Sequence, residues 1–241
     1  TLGGSVAAAA AGIDPYRSAL AVYLDKVGDP EEIDNAAIRW GNRLEAVIAD
    51  AFGEETGWDV IEPAGMLRHP AHTFMVANID RWLTDPGAGG PSAILEVKST
   101  GQHMADRWEG GPPDRVLVQV QHQLAVCGLD RAFVAVLIGG SDFRTFEVAR
   151  DDDLIDMLIG AEREFWSRVE NREPPAPDAS ESAPAALRRL YADMDAELEV
   201  DLPPEAQALL DALRATKRQA AECKDDDRRL SNALKALLGD A

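Results

Sequence analysis

Apolar residues recur at three- and four-residue intervals along "DPEEIDNAAIRWGNRLEAVIADAFGEETG", where Ile38, Leu44, Val47, Ile48 and Ala51 mark one side and Gly57 supplies a stop. That spacing predicts an amphipathic helix. Upstream, residues 5–27 read as helix with a break at "GIDPY". Downstream the period shortens: "WDVIEPAGMLRHP" and "FMVANIDRWLTD" hold short β-branched or aromatic runs punctuated by Pro and Gly, "DPGAGGPS" reads as a turn, and "AILEVKST" as the next strand. A Gly-rich loop, "GQHMADRWEGGPPD", leads into "RVLVQVQHQLAVCG", helical by the spacing of Leu117, Val120 and Leu124. "RAFVAVLIGG" is nearly all apolar, as expected of a strand buried on both faces, and "FRTFEVARD" alternates as its partner. "DDDLIDMLIGAEREFWSRVEN" opens on three Asp, which oppose a helix dipole at its N-terminus.

The order helix, hairpin, helix, strand, strand, helix predicts one mixed α/β domain over residues 1–172. The Pro, Ala and Ser content of residues 173–186 reads as a linker, and residues 187–241 as a helical extension. In the extension Leu209, Leu213, Ala220, Leu230, Ala233, Leu234 and Leu237 outline a stripe too ragged for a coiled coil, on one long helix or a helical pair. It is expected to pack against the main domain or another subunit.

At 241 residues the chain is long enough for a proper core. No apolar run approaches the roughly 18 residues of a membrane span, and "SVAAAAAG", lacking a preceding basic region, reads as helix and not as a secretion signal. Two cysteines far apart, Cys127 and Cys223, point to a reduced cytoplasmic protein. His69, His72, His103 and His122 have no Cys partners at zinc spacing. A formal charge of −19 argues against a sequence-blind grip on DNA or on an anionic membrane. It leaves open a single channel of gathered basic residues and an acidic site that recruits divalent metal.

The chemistry concentrates in "ILEVKST", residues 94–100. On a strand, residues two apart share a face, so Glu96 and Lys98 project together while Leu95 and Val97 go to the other side. An edge strand with its charged face in water is the ordinary reading of such a pair. Its neighbourhood argues otherwise, because Asp80 ends the preceding run "FMVANID" and a hairpin-like turn joins it to Glu96. Two carboxylates plus a strand carbonyl, that of Val97, form a hard oxygen site suited to Mg²⁺ or Mn²⁺. Such an ion polarises a phosphoryl oxygen and acidifies a bound water. Lys98 beside it would orient or deprotonate that water, or stabilise the developing charge.

These residues resemble the PD-(D/E)xK nuclease superfamily, with the Pro before the Asp absent ("NID"). Their surroundings are similar to the YqaJ-like viral recombinase family, related to phage lambda exonuclease. The similarity runs from the opening "LGGSVAAAAAGIDPYRSALAVYLDKVG" through "GNRLE", the Asp hairpin and "LEVK". It continues in "PPDRVLVQVQHQLAVCG" with its paired glutamines, "AFVAVLIGG" and "EFWSRV", covering most of residues 2–170. Between the Pro and the glutamines, Val116 and Leu117 stand where the family usually has aromatics.

The resemblance implies a restriction-endonuclease-like core, a mixed central β-sheet flanked by helices, with the helical extension appended. It implies that Asp80 and Glu96 ligate metal, with two ions in the active complex, and that Lys98 serves the nucleophilic water. Glu45 would add a carboxylate, the alternative being a solvated helix face. Gln119 and Gln121 would support the site, although positions about 200° apart on a helix cannot face one metal equally. Ser5 matches a serine near the 5′-phosphate pocket of lambda-type exonucleases, and is equally placed to cap "VAAAAA". Arg107 and Trp108 would touch DNA, Trp108 by stacking on a base or else by simple packing.

The implied activity is metal-dependent exonucleolytic hydrolysis of double-stranded DNA from an end, 5′ to 3′, leaving single strand for recombination. Alternatives are a noncatalytic DNA-end or protein-binding module, or an endonuclease. Implied partners are DNA ends, a single-strand annealing protein and further copies in a ring-shaped trimer, in a bacterial cytoplasm with the gene carried by a phage or prophage.

Overall fold

The computed structural model describes residues 1–28, 36–85, 89–192 and 201–239, in two units that divide after Ala192. In the first unit, a short strand β1 (Leu2–Gly3) and a 3-10 turn (Gly4–Val6) lead into helices α1 (Ala7–Ala10), α2 (Ala19–Val27) and α3 (Ala36–Thr56). Strands β2 (Asp59–Ile61), β3 (Leu67–Arg68), β4 (Met75–Ala77), β5 (Arg81–Thr84) and β6 (Ala93–Thr100) follow. After a 3-10 segment (Gln102–Trp108) come α4 (Asp114–Cys127), β7 (Arg131–Ile138), β8 (Asp142–Ala149), α5 (Asp152–Asn171) and α6 (Ala183–Leu190). The first turn of the helix expected from residue 29, and part of the turn at 85–92, lie outside the described residues.

Local chemistry explains the boundaries. α2 starts at Ser18, whose hydroxyl accepts from the N–H of Ala21 at 2.9 Å. α3 ends at Gly57, whose φ of +78° suits a residue without Cβ, and its N–H closes on Gly53 O at 2.9 Å. Asp151 caps α5 by accepting from Leu154 N at 3.0 Å, with Asp152 and Asp153 in the first turn, as the three-Asp opening predicts.

The main sheet has the order β2-β5-β6-β7-β8, antiparallel except for the parallel β6–β7 pair. β6 is therefore central. Its alternate residues serve two cores. Ala93, Leu95 and Val97 pack with Leu83 against Ile48, Ala49 and Phe52 of α3. Ile94 faces the other way, into the layer of Val116, Val120 and Leu124 from α4. Glu96 and Lys98 share the face of Ile94, and so meet α4.

Three expectations need correction. First, "FMVANID" is not one strand. β4 stops at Ala77 and belongs to a separate small sheet of order β1-β4-β3, while Asp80 immediately precedes β5. The hairpin is β5–β6, and because Arg81 pairs with Leu95, Asp80 still falls opposite Glu96. Second, the Pro-rich stretch 173–186 does not run free. Asp178 accepts from Ala19 N at 3.3 Å, Ser182 Oγ accepts from Ser18 N at 2.8 Å, and Glu181 N and Ser182 N donate to Pro15 O and Tyr16 O at 2.9 and 3.0 Å. α6 then buries Ala183 and Ala186 in the α2 core, and Arg189 reaches Asp25 at 3.1 Å. Third, the loop after β6 is a 3-10 segment that delivers Trp108 to the core.

The second unit contains α7 (Pro204–Leu238), one unbroken helix of 35 residues, about 52 Å long at 1.5 Å per residue. Cys127 and Cys223 are both free thiols. No described helix is long and apolar enough to cross a membrane.

Candidate active site

Glu96 is 1 % exposed, and a lone carboxylate there would cost several kcal/mol. Its oxygens are taken by side chains from two elements. Oε1 accepts from Lys98 Nζ and from Gln119 Nε2 at 2.7 Å; Oε2 accepts from Gln123 Nε2 at 2.7 Å. Gln119 Oε1 in turn accepts from Lys98 Nζ at 3.2 Å. Lys98 remains a quarter exposed, so its ammonium reaches from the buried acid to solvent.

Asp80 approaches across the β5–β6 register. Its Oδ2 accepts from the N–H of Val97 at 2.8 Å, and its other oxygen has no hydrogen-bond donor among the described residues. Burial first, then the charges of Glu96 and Glu45, push its carboxyl up from 3.8 to about 7, against the opposing pull of the Val97 bond and Lys98. The pair of carboxylates is thus short of positive charge. Among the described residues no three His, Cys, Asp or Glu side chains converge as a ready-made metal cluster. The donor set is the Asp80–Glu96 pair with the strand backbone beside it. A divalent cation fits that set, since it supplies the missing charge and takes hard oxygen donors.

The other predicted residues distribute as follows. Glu45, on the α3 side of the sheet, pairs with Arg81 Nη1 at 2.6 Å and borders, with Asp80, a groove of about 280 Å³ that also includes Glu62, Asn78 and Arg81. It is neither a solvated bystander nor a direct partner of Glu96. Ser5 lies exposed in the 3-10 turn, and neither that turn nor α1 uses its hydroxyl as a cap. Its neighbour Gly4 abuts α4 so closely that a Cβ there would stand 3.2 Å from Gln119 O, which sets the Ser5 turn against the helix that serves Glu96.

Gln121 is a correction. It points away from Glu96, donating to Ala149 O at 2.7 Å and accepting from Asp151 N at 3.0 Å, and so ties α4 to the β8–α5 junction. The helical period is the reason: two residues on, a side chain is about 200° away, whereas four residues on it returns to within about 40°. Gln123, which sequence reasoning missed, is the true companion of Gln119. It also donates to Asn78 O at 3.3 Å, so both of its neighbours are acceptors and the amide orientation is fixed. Its Oε1 is buried without a partner among the described residues. Trp108 takes the packing role: it is 3 % exposed, with its ring stacked 6.0 Å from Phe146. Arg107 is exposed, as expected of a contact residue.

Behind α4, His122 and Glu162 form a pair with 0 % exposure on both side chains. Nδ1 meets Glu162 Oε1 at 2.8 Å, and Nε2 meets Val76 O at 2.9 Å. The ring therefore bolts α5 and β4 to the helix that bears Gln119 and Gln123.

A central strand carrying Glu-x-Lys, an Asp facing it across a hairpin, and glutamines from the covering helix form the arrangement expected of a restriction-endonuclease-like core. The comparisons agree on the fold. The fold matches an alkaline exonuclease (LHK-Exo) from Laribacter hongkongensis with a TM-score of 0.58 at 20 % identity, over 81 % of this chain and 95 % of that one. It matches a phage-related exonuclease from Haemophilus somnus 129PT with a TM-score of 0.53 at 12 % identity, over 71 % and 96 %. Residues 1–130 match the model of the YqaJ-like viral recombinase domain. The protein YqaJ of Bacillus subtilis (strain 168) is 35 % identical over 246 residues, covering 100 % of this chain and 76 % of that protein. The chain belongs to the YqaJ-like viral recombinase family.

Proposed function

We propose that the chain is a divalent-metal-dependent DNA exonuclease that hydrolyses phosphodiester bonds of double-stranded DNA from an end, 5′ to 3′, to leave single strand for recombination. The observation that carries this reading is the convergence of Asp80, Glu96 and Lys98, with every oxygen of the buried Glu96 held by a side chain. Asp80, Glu96 and the Val97 carbonyl would hold Mg²⁺ or Mn²⁺, two ions in the active complex. Bound there, the metal would supply Lewis-acid charge to the phosphoryl group.

The protein's own groups do the rest. Gln119 and Gln123 fix the Glu96 carboxylate before substrate arrives, so no reorganisation is needed at the moment of reaction. The Lys98 ammonium, steadied by Glu96 and Gln119, orients the attacking water and offsets charge building on the phosphoryl oxygens. Ser5, in the exposed turn beside Gln119, would receive the terminal 5′-phosphate. Glu45 sets the Arg81 side chain at the rim of the groove that Asp80 borders. We further propose a ring-shaped homotrimer and a single-strand annealing protein as partner.

The test is a linear 5′-phosphorylated duplex with Mg²⁺ or Mn²⁺. Wild type releases nucleotides from the ends, whereas Asp80→Asn and Lys98→Ala do not. DNA left intact by wild type with either ion sinks the enzyme reading. Nicking of covalently closed circles sinks the exonuclease reading, and mass in solution tests the trimer.

A further inference from the structure

Thr100 lies two residues beyond Lys98 on the same face of β6, and it lines a cavity of about 500 Å³ with Tyr16, Met104, Arg107, Pro113 and Arg115. Two guanidiniums converge there on one aromatic ring. The Arg107 and Arg115 Cζ atoms lie 5.7 and 5.5 Å from the Tyr16 centroid, and Arg107 Nη1 also donates to the Tyr16 hydroxyl. Neither guanidinium has a carboxylate partner among the described residues. Arg17, Arg81, Arg131, Arg144, Arg150 and Arg168 all do. One acid, Asp114, also lines the cavity; in a chain of net charge −19, two arginines against that single carboxylate still leave a local reversal of sign.

The cavity is built before any ligand arrives. Asp14 Oδ1 accepts from the N–H groups of Tyr16 and Arg17 at 2.8 and 3.2 Å, and residues 181–182 clamp the same loop through the carbonyls of Pro15 and Tyr16. The opposite wall is the first turn of α4, 14 residues long and capped by no side chain, whose dipole adds positive potential against the single charge of Asp114 in that turn. At about 3.3 Å per residue the cavity begins about 6.6 Å along the strand from Lys98. That distance is one or two nucleotides of a strand whose phosphates rise about 3.4 Å apart.

We propose that Tyr16, Arg107 and Arg115 seat a phosphodiester group of the DNA backbone beside the scissile bond, independently of base sequence. Guanidinium forks match phosphate geometry, and the Tyr16 ring holds them parked by cation–π attraction until the anion arrives. This rests on the nuclease reading for its substrate, but not for its binding test.

Binding of a fluorescent duplex is measured by anisotropy in EDTA, where nothing is cut, between 50 and 200 mM salt (values chosen for the assay as the range over which phosphate contacts are felt, about 10³-fold or more for a full interface). Arg107→Ala with Arg115→Ala is expected to weaken binding about tenfold or more, and to reduce the slope of log affinity against log salt by about 1. Arg107→Lys with Arg115→Lys recovers most of the slope, and Arg168→Ala changes neither. Unchanged affinity and slope in the double Ala variant overturn the proposal, as does absence of duplex binding by wild type. If binding depends on the two arginines but wild type cuts nothing with metal, the cleft stands and the nuclease reading falls. If wild type cuts and the double Ala variant binds as well as wild type, the cleft falls alone.

Discussion

Replacing Asp80 with Asn is expected to stabilise the metal-free protein at pH 8 while abolishing cleavage. The native carboxyl is pushed from 3.8 to about 7, chiefly by burial and next by the facing Glu96. The sign follows from proton counts. Between those two values the folded chain holds a proton that the unfolded chain has released, so stability is full below about pH 4 and drains away as pH rises through about 7. At about 1.4 kcal/mol per unit the ceiling is about 4 kcal/mol. Asp80 is only partly enclosed, and the site relaxes around the charge, so about 2 kcal/mol is the expected gain at pH 8. An Asn oxygen still accepts the Val97 N–H, which keeps the packing term small. Urea unfolding in EDTA at pH 5, 6, 7 and 8 (chosen to cross the window of about 4 to 7) measures the difference between variant and wild type. It should grow with pH and level off above about 7. A flat difference, or an Asn variant less stable at pH 8, refutes the account of a carboxylate pair short of positive charge. Added Mg²⁺ should raise wild type more than the variant, because only ligand-competent protein gains from binding.

The glutamines separate by role. Gln123→Leu strips the donor from Glu96 Oε2 and is expected to cost about 2 kcal/mol of stability together with most of the cleavage rate. Gln121→Leu is expected to cost a similar amount through its bonds to Ala149 and Asp151 while cleavage at a temperature well below its midpoint stays near wild type. Parallel melts and initial rates decide between them. Trp108→Ala should lower stability by about 3 kcal/mol or more through an emptied core, and leave the salt slope of duplex binding unchanged in anisotropy. Truncation after residue 172 removes the strap over Ser18 and the Arg189–Asp25 bridge; it should melt several degrees below truncation after residue 192, as calorimetry of the two would show.

Periodicity carried the reading of the fold wherever an element buries one face over several residues: α4, β7 and the Asp-capped α5 lie where their spacing puts them, and α3 forms as expected, although Ile38 and Val47 of its expected apolar side are exposed and Ala49 and Phe52 are buried with Ile48 instead. It failed where the determining contacts are backbone contacts. The break between β4 and β5 falls inside an uninterrupted run, because the chain changes sheets at Asn78 and Ile79 and the side chains need not change character to do so. The strap is a similar case. Its bonds to Pro15 and Tyr16 run from main chain to main chain, so Pro, Ala and Ser there look like any tether. The choice between the two roles of Trp108 was undecided for a different reason: the glycines around it describe the loop that delivers it, and say nothing of Phe146 on the strand that receives it.

In the site, the alternation of a strand was enough to put Glu96 and Lys98 on one side, and register kept Asp80 opposite them even though its strand was misread. The glutamines show how far one rule extends. Of the three in "QVQHQ", the helical period favours the first and third on one face, and it is Gln119 and Gln123 that hold Glu96. The middle one works on the other side of the same helix. What no period encodes is which charges are left unsatisfied. Net charge counts every acid equally, yet most arginines are spent on local acids while Arg107 and Arg115 turn to an aromatic ring. A strongly acidic chain can therefore present a cationic cleft to a polyanion, with its excess acid elsewhere keeping non-specific DNA at a distance. On this view, neutralising surface acids far from the cleft should strengthen random DNA binding without speeding cleavage at ends. Repulsion from the acidic surface and attraction at the cleft are separate terms that the single figure of −19 merges.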